Sequence, residues 1–211
     1  MKLQVEELAA NGYAPLEQFH HDELLPFVQK YMKQRTFYSL FYNVFNVALV
    51  AIAAFFVFVK IDEGLMIFVN RCSYLAIGLT AALLLLPLHE YLHAIAYRAM
   101  GATKTSYDFN LRKFYFMALA DRFVADRREF TVVALAPVTV ISAVLVIVMC
   151  VVPTDFQLLA LGTLLAHTAM CSGDFALLSF FASHPDKEIV TYDDVPNKMT
   201  YFYAKGSGLK N

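Results

Sequence analysis

The sequence predicts a mainly α-helical, polytopic membrane protein with four transmembrane helices and a short cytoplasmic β-hairpin-like segment. Three observations carry that expectation. Of 211 residues, 59% are hydrophobic and 17% charged, where a soluble domain has ~45–50% and ~25%. The apolar residues come in uncharged runs as long as the ~20-residue helix that crosses a bilayer. The basic residues collect on one side of those runs. The same composition excludes a disordered chain, a basic nucleic-acid-binding domain and a disulfide scaffold. A formal net charge of −1 argues against electrostatic recruitment by the chain as a whole.

Residues 1–36 read as a cytoplasmic N-terminal segment. Within it, 16–35 mixes apolar and charged positions like an amphipathic surface helix, with Pro26 against a single straight helix. Charges of both signs, and a first apolar run that starts only at Phe37, argue against a cleavable signal peptide. A membrane domain then covers 37–183, with spans at about 37–59, 70–100, 130–153 and 156–183. A cytoplasmic tail covers 184–211. Fifteen of the 17 Lys and Arg lie before the first span, in 98–129 or in the tail, and only Lys60 and Arg71 lie opposite. The positive-inside bias therefore places both termini in the cytoplasm, and the expected location is a bacterial cytoplasmic membrane.

Between the second and third spans, residues 104–120 form a strand-like insert. Ser106 to Leu111 alternates polar and apolar, Arg112-Lys113 follows, and then the aromatic run Phe114-Tyr115-Phe116. Gly101 is placed to cap the preceding helix, and Pro87 to kink it. Cys72, Cys150 and Cys171 show no C-x-x-C spacing and read as small apolar groups.

The sharpest chemical signal is His89-Glu90-Tyr91-Leu92-His93, an H-E-x-x-H at membrane depth. On a helix the two histidines are ~40° apart around the axis and ~6 Å along it, so both imidazoles can address one zinc ion. Glu90 is ~60° beyond His93, placed to act as general base toward a water without being a ligand. Ionisable groups in an apolar span are functional candidates by default.

Catalytic zinc takes a third protein ligand. Asp174 is 19 residues past Asp155, ~28 Å of helix, and His89 is 18 past Arg71, ~27 Å, so the two match in depth. His167 is ~10 Å from that level along an unbroken helix. Asp174 is therefore the expected ligand. His167 is a second candidate, for orienting substrate or stabilising an oxyanion, with a structural histidine as its alternative. Tyr97 reads as an interfacial aromatic, His20 and His21 as solvated, and His184 as a boundary residue.

H-E-x-x-H in a transmembrane helix, strands after it, Ala136-Pro137 entering the next span and Gly173-Asp174 in the last resemble the zincin peptidases of the site-2-protease type. The likeness is closest to a compact bacterial branch of unknown function and covers about 70–183. It implies an intramembrane zinc metalloprotease fold with three core helices. It also implies His89 and His93 as ligands, Glu90 as general base and Asp174 as distal acidic ligand. The sequence departs from the better-known members, which carry Asn-x-x-Pro and Leu-Asp-Gly. Here the order is Gly-Asp, no Asn lies in 156–183, and 211 residues leave no room for a PDZ-like domain.

The expected function is an intramembrane zinc metallopeptidase that hydrolyses peptide bonds of membrane proteins. It would use a water activated by one Zn²⁺ per chain, with Glu90 as base. The expected partners are the bilayer and a membrane-protein substrate, without nucleic acid. The alternative is a non-catalytic metal-binding membrane protein or a divalent-metal transporter. The lack of ionisable residues in the first and third spans counts against a transport path. A His₂-carboxylate set can also hold iron. A free edge in the strand-like insert suits an extended substrate, which pairs through main-chain hydrogen bonds.

Overall fold

The computed structural model describes residues 2–59, 64–110, 112 and 115–206. Lys60, Leu111, Lys113, Phe114 and Lys210, used above for charge balance or strand patterning, lie outside the described residues. The helices are α1 (Leu24–Met32), α2 (Phe37–Phe58), α3 (Leu65–Ala81), α4 (Leu86–Ala99), α5 (Arg127–Val151), α6 (Thr154–Met170) and α7 (Ser172–Ala182). The strands are β1 (Ala14–His20), β2 (Ser106–Asn110), β3 (Tyr115–Leu119), β4 (Ala125–Asp126), β5 (Lys187–Asp194) and β6 (Met199–Gly206).

Among the described residues, three helical stretches are long and apolar enough to cross a membrane: α2, α3 running on into α4, and α5. A fourth exists only if α6 and α7, bent by 44° at their junction, are counted as one span. The run expected as a straight helix over 156–183 is therefore broken at Cys171. Helix α2 carries no charge, and its Phe37, Leu40, Val47 and Phe55 are exposed. An exposed apolar face of this length is what lipid, not water, accommodates.

The expected kink at Pro87 takes the form of a 3₁₀ turn, Ala82–Leu85, just before α4. Pro87 has no N–H to offer the carbonyl four residues back, and the preceding turn tightens to i→i+3 bonding. The helix ends as expected. Gly101 has φ +103°, which glycine adopts without strain, and the Ala102 N–H donates to the Tyr97 carbonyl at 3.0 Å.

Contacts divide the chain into two compact units. One comprises Leu40–His89 and Pro137–Ser172. Its centre is α6, buried at Leu158, Leu161, Thr163, Leu164, His167 and Thr168. Helix α3 approaches α6 through two glycines. A Cβ on Gly78 would lie 2.1 Å from the Leu159 carbonyl oxygen, and one on Gly162 would lie 2.4 Å from that of Leu75. The Thr163 hydroxyl donates across this seam to the Gly78 carbonyl at 3.0 Å. Small residues and interhelical hydrogen bonds are how helices associate where solvent supplies no hydrophobic force.

The other unit comprises Met1–Ser39, Glu90–Ala136 and Gly173–Asn211. It contains an antiparallel sheet of order β1-β6-β5-β4 and the separate hairpin β2-β3, in register Asp108↔Met117 and Phe109↔Phe116. Phe202 of β6 stacks 4.2 Å from Phe180 of α7 and 5.9 Å from Phe27 of α1. This aromatic core is closed by Phe19, Tyr31 and Phe181. The Ser179 hydroxyl ties α7 to the Tyr31 carbonyl at 2.8 Å.

Two expectations are corrected in this unit. The first half of 16–35 is not helix: 14–20 is strand β1, paired to β6 with His20 opposite Met199, and helix runs only over Leu24–Met32. Pro26 falls in its first turn, where the missing N–H is tolerated. The 184–211 segment, read above only as a cytoplasmic tail, contains β5 and β6. His21 is not solvated. It is fully buried, its Nδ1 is 3.2 Å from Asp108 Oδ2, and Lys198 Nζ donates to the other Asp108 oxygen at 2.9 Å. Burial holds the His21 pKa below its usual value. Asp193 of β5 is likewise buried. Desolvation pushes its carboxyl up to about 6, against the Thr200 hydroxyl 2.8 Å away and the Ala120 N–H, which both favour the charged form.

Candidate metal centre

Helix α4 carries His89, Glu90 and His93, exposed by only 6%, 5% and 7%. One potential ligand atom from each lies within 4.8 Å of the others. This is the i, i+1, i+4 geometry read from the sequence, and each side chain is held by a different partner.

His93 Nδ1 is 2.9 Å from the carbonyl oxygen of Val133 in α5. A carbonyl only accepts, so Nδ1 carries a proton, and in the neutral tautomer Nε2 presents its lone pair. That carbonyl is open because of Pro137. In a regular helix it would accept the N–H four residues on, which proline lacks. His93 Nε2 lies 3.2 Å from Asp174 Oδ1. Two ligand atoms ~2.0–2.1 Å from one tetrahedral zinc are about 3.3 Å apart. The separation of this imidazole nitrogen from the carboxylate oxygen therefore fits one edge of a zinc coordination sphere. Asp174 is the third residue of α7, just after the break, and Gly173 before it leaves open space where a Cβ would be.

Glu90 Oε2 accepts the backbone N–H of Ala118 in β3 at 2.6 Å. A charge-assisted bond of that length fixes one carboxylate oxygen and ties the hairpin to the H-E-x-x-H helix.

His89 Nδ1 is 3.2 Å from His167 Nε2, with the rings edge to face and their centroids 5.3 Å apart. His167 is wholly buried in α6. Cys171 joins it: one ligand-capable atom from each of His89, His167 and Cys171 lies within 4.8 Å of the others. The thiol donates to the His167 carbonyl at 3.3 Å. Reading Cys171 as a packing group missed this cluster. The available signal was its spacing, four residues past His167, the same helical step that relates His89 to His93.

Of the other residues singled out, Tyr97 is not interfacial. It is 7% exposed, and its ring meets Phe123 edge-on at 6.0 Å. The side chain of His20 accepts from the Asp22 N–H at the head of a 3₁₀ turn. His184 follows α7, with Nδ1 2.9 Å from the Phe180 carbonyl.

Two histidines and a carboxylate are a donor set suited to zinc, and the 3.2 Å edge at His93 is the geometric match. A family model described as "Putative zincin peptidase" matches residues 82–189, more than half of the chain, from just before the H-E-x-x-H helix into β5. Neither the curated proteins nor the solved structures contain a match.

Proposed function

Since the chain belongs to the putative zincin peptidase family, we propose that it is an intramembrane zinc endopeptidase acting on membrane proteins, with His89, His93 and Asp174 as ligands. The observation that carries this reading is His93 Nε2 facing Asp174 Oδ1 at 3.2 Å while its Nδ1 is held by the Val133 carbonyl. When bound, the metal would supply Lewis acidity, acidifying a water and polarising a carbonyl.

Glu90 takes the proton from the attacking water and returns it to the leaving amine. The Ala118 N–H holds one oxygen of this carboxylate and so orients the group that serves as the base. His167 acts through His89: the Nδ1–Nε2 hydrogen bond fixes the ring and its tautomer, as outer-shell partners of ligating histidines do. That makes His167 a positioning residue, not an oxyanion donor. Strand β3 is the candidate substrate edge. An unwound peptide laid along it would satisfy its backbone groups, and the Ala118–Glu90 bond would hold that edge beside the base.

Metal analysis of the purified chain tests the reading. The wild type is expected to carry one zinc per chain, Asp174→Ala to lose it, and Glu90→Gln to keep zinc while losing hydrolysis of a membrane-protein substrate. Zinc retained by Asp174→Ala would remove Asp174 from the ligand set.

A further inference from the structure

The helical unit holds a cavity of ≈ 450 Å³ lined by Met66, Ile67, Asn70 and Arg71 from the first two turns of α3 and by Thr154 and Asp155 from the first turn of α6. Arg71 is 8% exposed. Its Nη1 donates to the Phe56 carbonyl at 3.0 Å, a last-turn carbonyl of α2. Among the described residues that is the guanidinium's only hydrogen bond, and the rest of its N–H fork is left for a ligand. Asp155 has no cationic partner within salt-bridge distance among the described residues. The start of α6 adds first-turn N–H groups that favour an anion. Beside the cavity, Leu65 and Met66 are 78% and 80% exposed, as apolar side chains facing lipid would be. The cavity thus combines one buried cation, one carboxylate without a counter-ion, and an apolar wall at the start of a candidate span.

We propose that this cavity binds the headgroup of a zwitterionic aminophospholipid, a phosphodiester bearing a primary ammonium. Arg71 and the α6 terminus take the phosphate, because a guanidinium fork matches two phosphate oxygens. Asp155 takes the ammonium, whose N–H groups a quaternary choline lacks. Asn70 and Thr154 supply hydrogen bonds to the linker, and Met66 and Ile67 line the start of the acyl chains. A cavity of zero net charge disfavours an anionic headgroup, which would leave Asp155 facing like charge.

The test is native mass spectrometry of the delipidated full chain, titrated with phosphatidylethanolamine, phosphatidylcholine and phosphatidylglycerol of matched acyl chains. Phosphatidylethanolamine is expected to be held about ten-fold or more tighter than the other two. Arg71→Gln is expected to lose this retention. Asp155→Asn is expected to keep a bound phospholipid but lose the preference for the ethanolamine headgroup. Should Arg71→Gln fail to fold, Asp155→Asn decides alone, since it is nearly isosteric at a part-exposed position. Soluble phosphoethanolamine is expected not to displace the lipid. Displacement at equal concentration would assign the cavity to a soluble zwitterion and overturn the lipid reading. Equal retention of the three lipids by the wild type, or an unchanged preference in Asp155→Asn, would also overturn it.

Discussion

The two units are held by opposite devices. In the helical unit the α3–α6 seam is built by removing side chains: Gly78 and Gly162 let backbone meet backbone, and Thr163 bridges the pair. In the sheet-bearing unit the core is built by adding them: Phe27, Phe180, Phe181 and Phe202 interlock beneath β6. The difference follows from solvent. Lipid is as apolar as leucine, so burial of leucine gains nothing there, and close van der Waals approach must do the work. Where water is the reference, each buried aromatic ring contributes directly.

That contrast can be broken most severely at the glycines. Gly162→Leu should cost more than about 5 kcal/mol, because even its Cβ would meet the Leu75 backbone at 2.4 Å. The check is accumulation and thermal unfolding of the variant in detergent; near-wild-type stability would show that α3 and α6 can part at little cost. Phe202→Ala should cost about 3–5 kcal/mol, read as a lowered unfolding temperature. A loss under about 1 kcal/mol would show that the aromatic core contributes far less than its packing implies.

Asp193 sharpens the comparison, because it is a liability that only a titratable core can have. Its folded pKa of about 6 exceeds the ordinary value of 3.8. The folded state therefore binds the proton more tightly, and stability falls as pH rises from about 4 to about 6. Above that both states are ionised, and the loss is constant. Asp193→Asn should stabilise the protein at neutral pH by of order 2 kcal/mol and flatten the pH 4–6 slope of the melting temperature. An unchanged slope would assign the acid sensitivity elsewhere.

The smallest effect concerns Pro137. Pro137→Ala restores an N–H that competes with His93 for the Val133 carbonyl. The loss should be about ten-fold in zinc affinity, measured by competition with a chelator, with the fold unchanged. Unaltered affinity would show that the carbonyl does not orient His93.

Much of this was legible in the chain itself. The apolar runs announced α2, α3–α4 and α5, because a span must satisfy its own backbone and is therefore local. The H-E-x-x-H announced its geometry because four residues is one helical turn. The β2–β3 alternation was visible for the same reason. What escaped was nonlocal. Strand β1 pairs with β6, so Ala14–His20 carried no local sign of its partner and its charged positions imitated an amphipathic helix. His21 looked solvated because Asp108, which faces it, is 87 residues away. The break at Cys171 was hidden because 156–183 is mostly apolar and has no proline to mark it.

Sequence by itself determined a membrane chain with a buried H-E-x-x-H helix and a short list of acidic and imidazole partners. Those features depend on residue type and on spacings within one helix. Only the tertiary structure decided which partner each histidine receives: Val133 and Asp174 for His93, His167 for His89. These pairings bring together groups 40 to 81 residues apart, and the bend after Met170 and the open carbonyl opposite Pro137 set them. Hydrogen bonds are directional and act over about 3 Å, so spacing along the chain supplies the donors and folding alone chooses their acceptors.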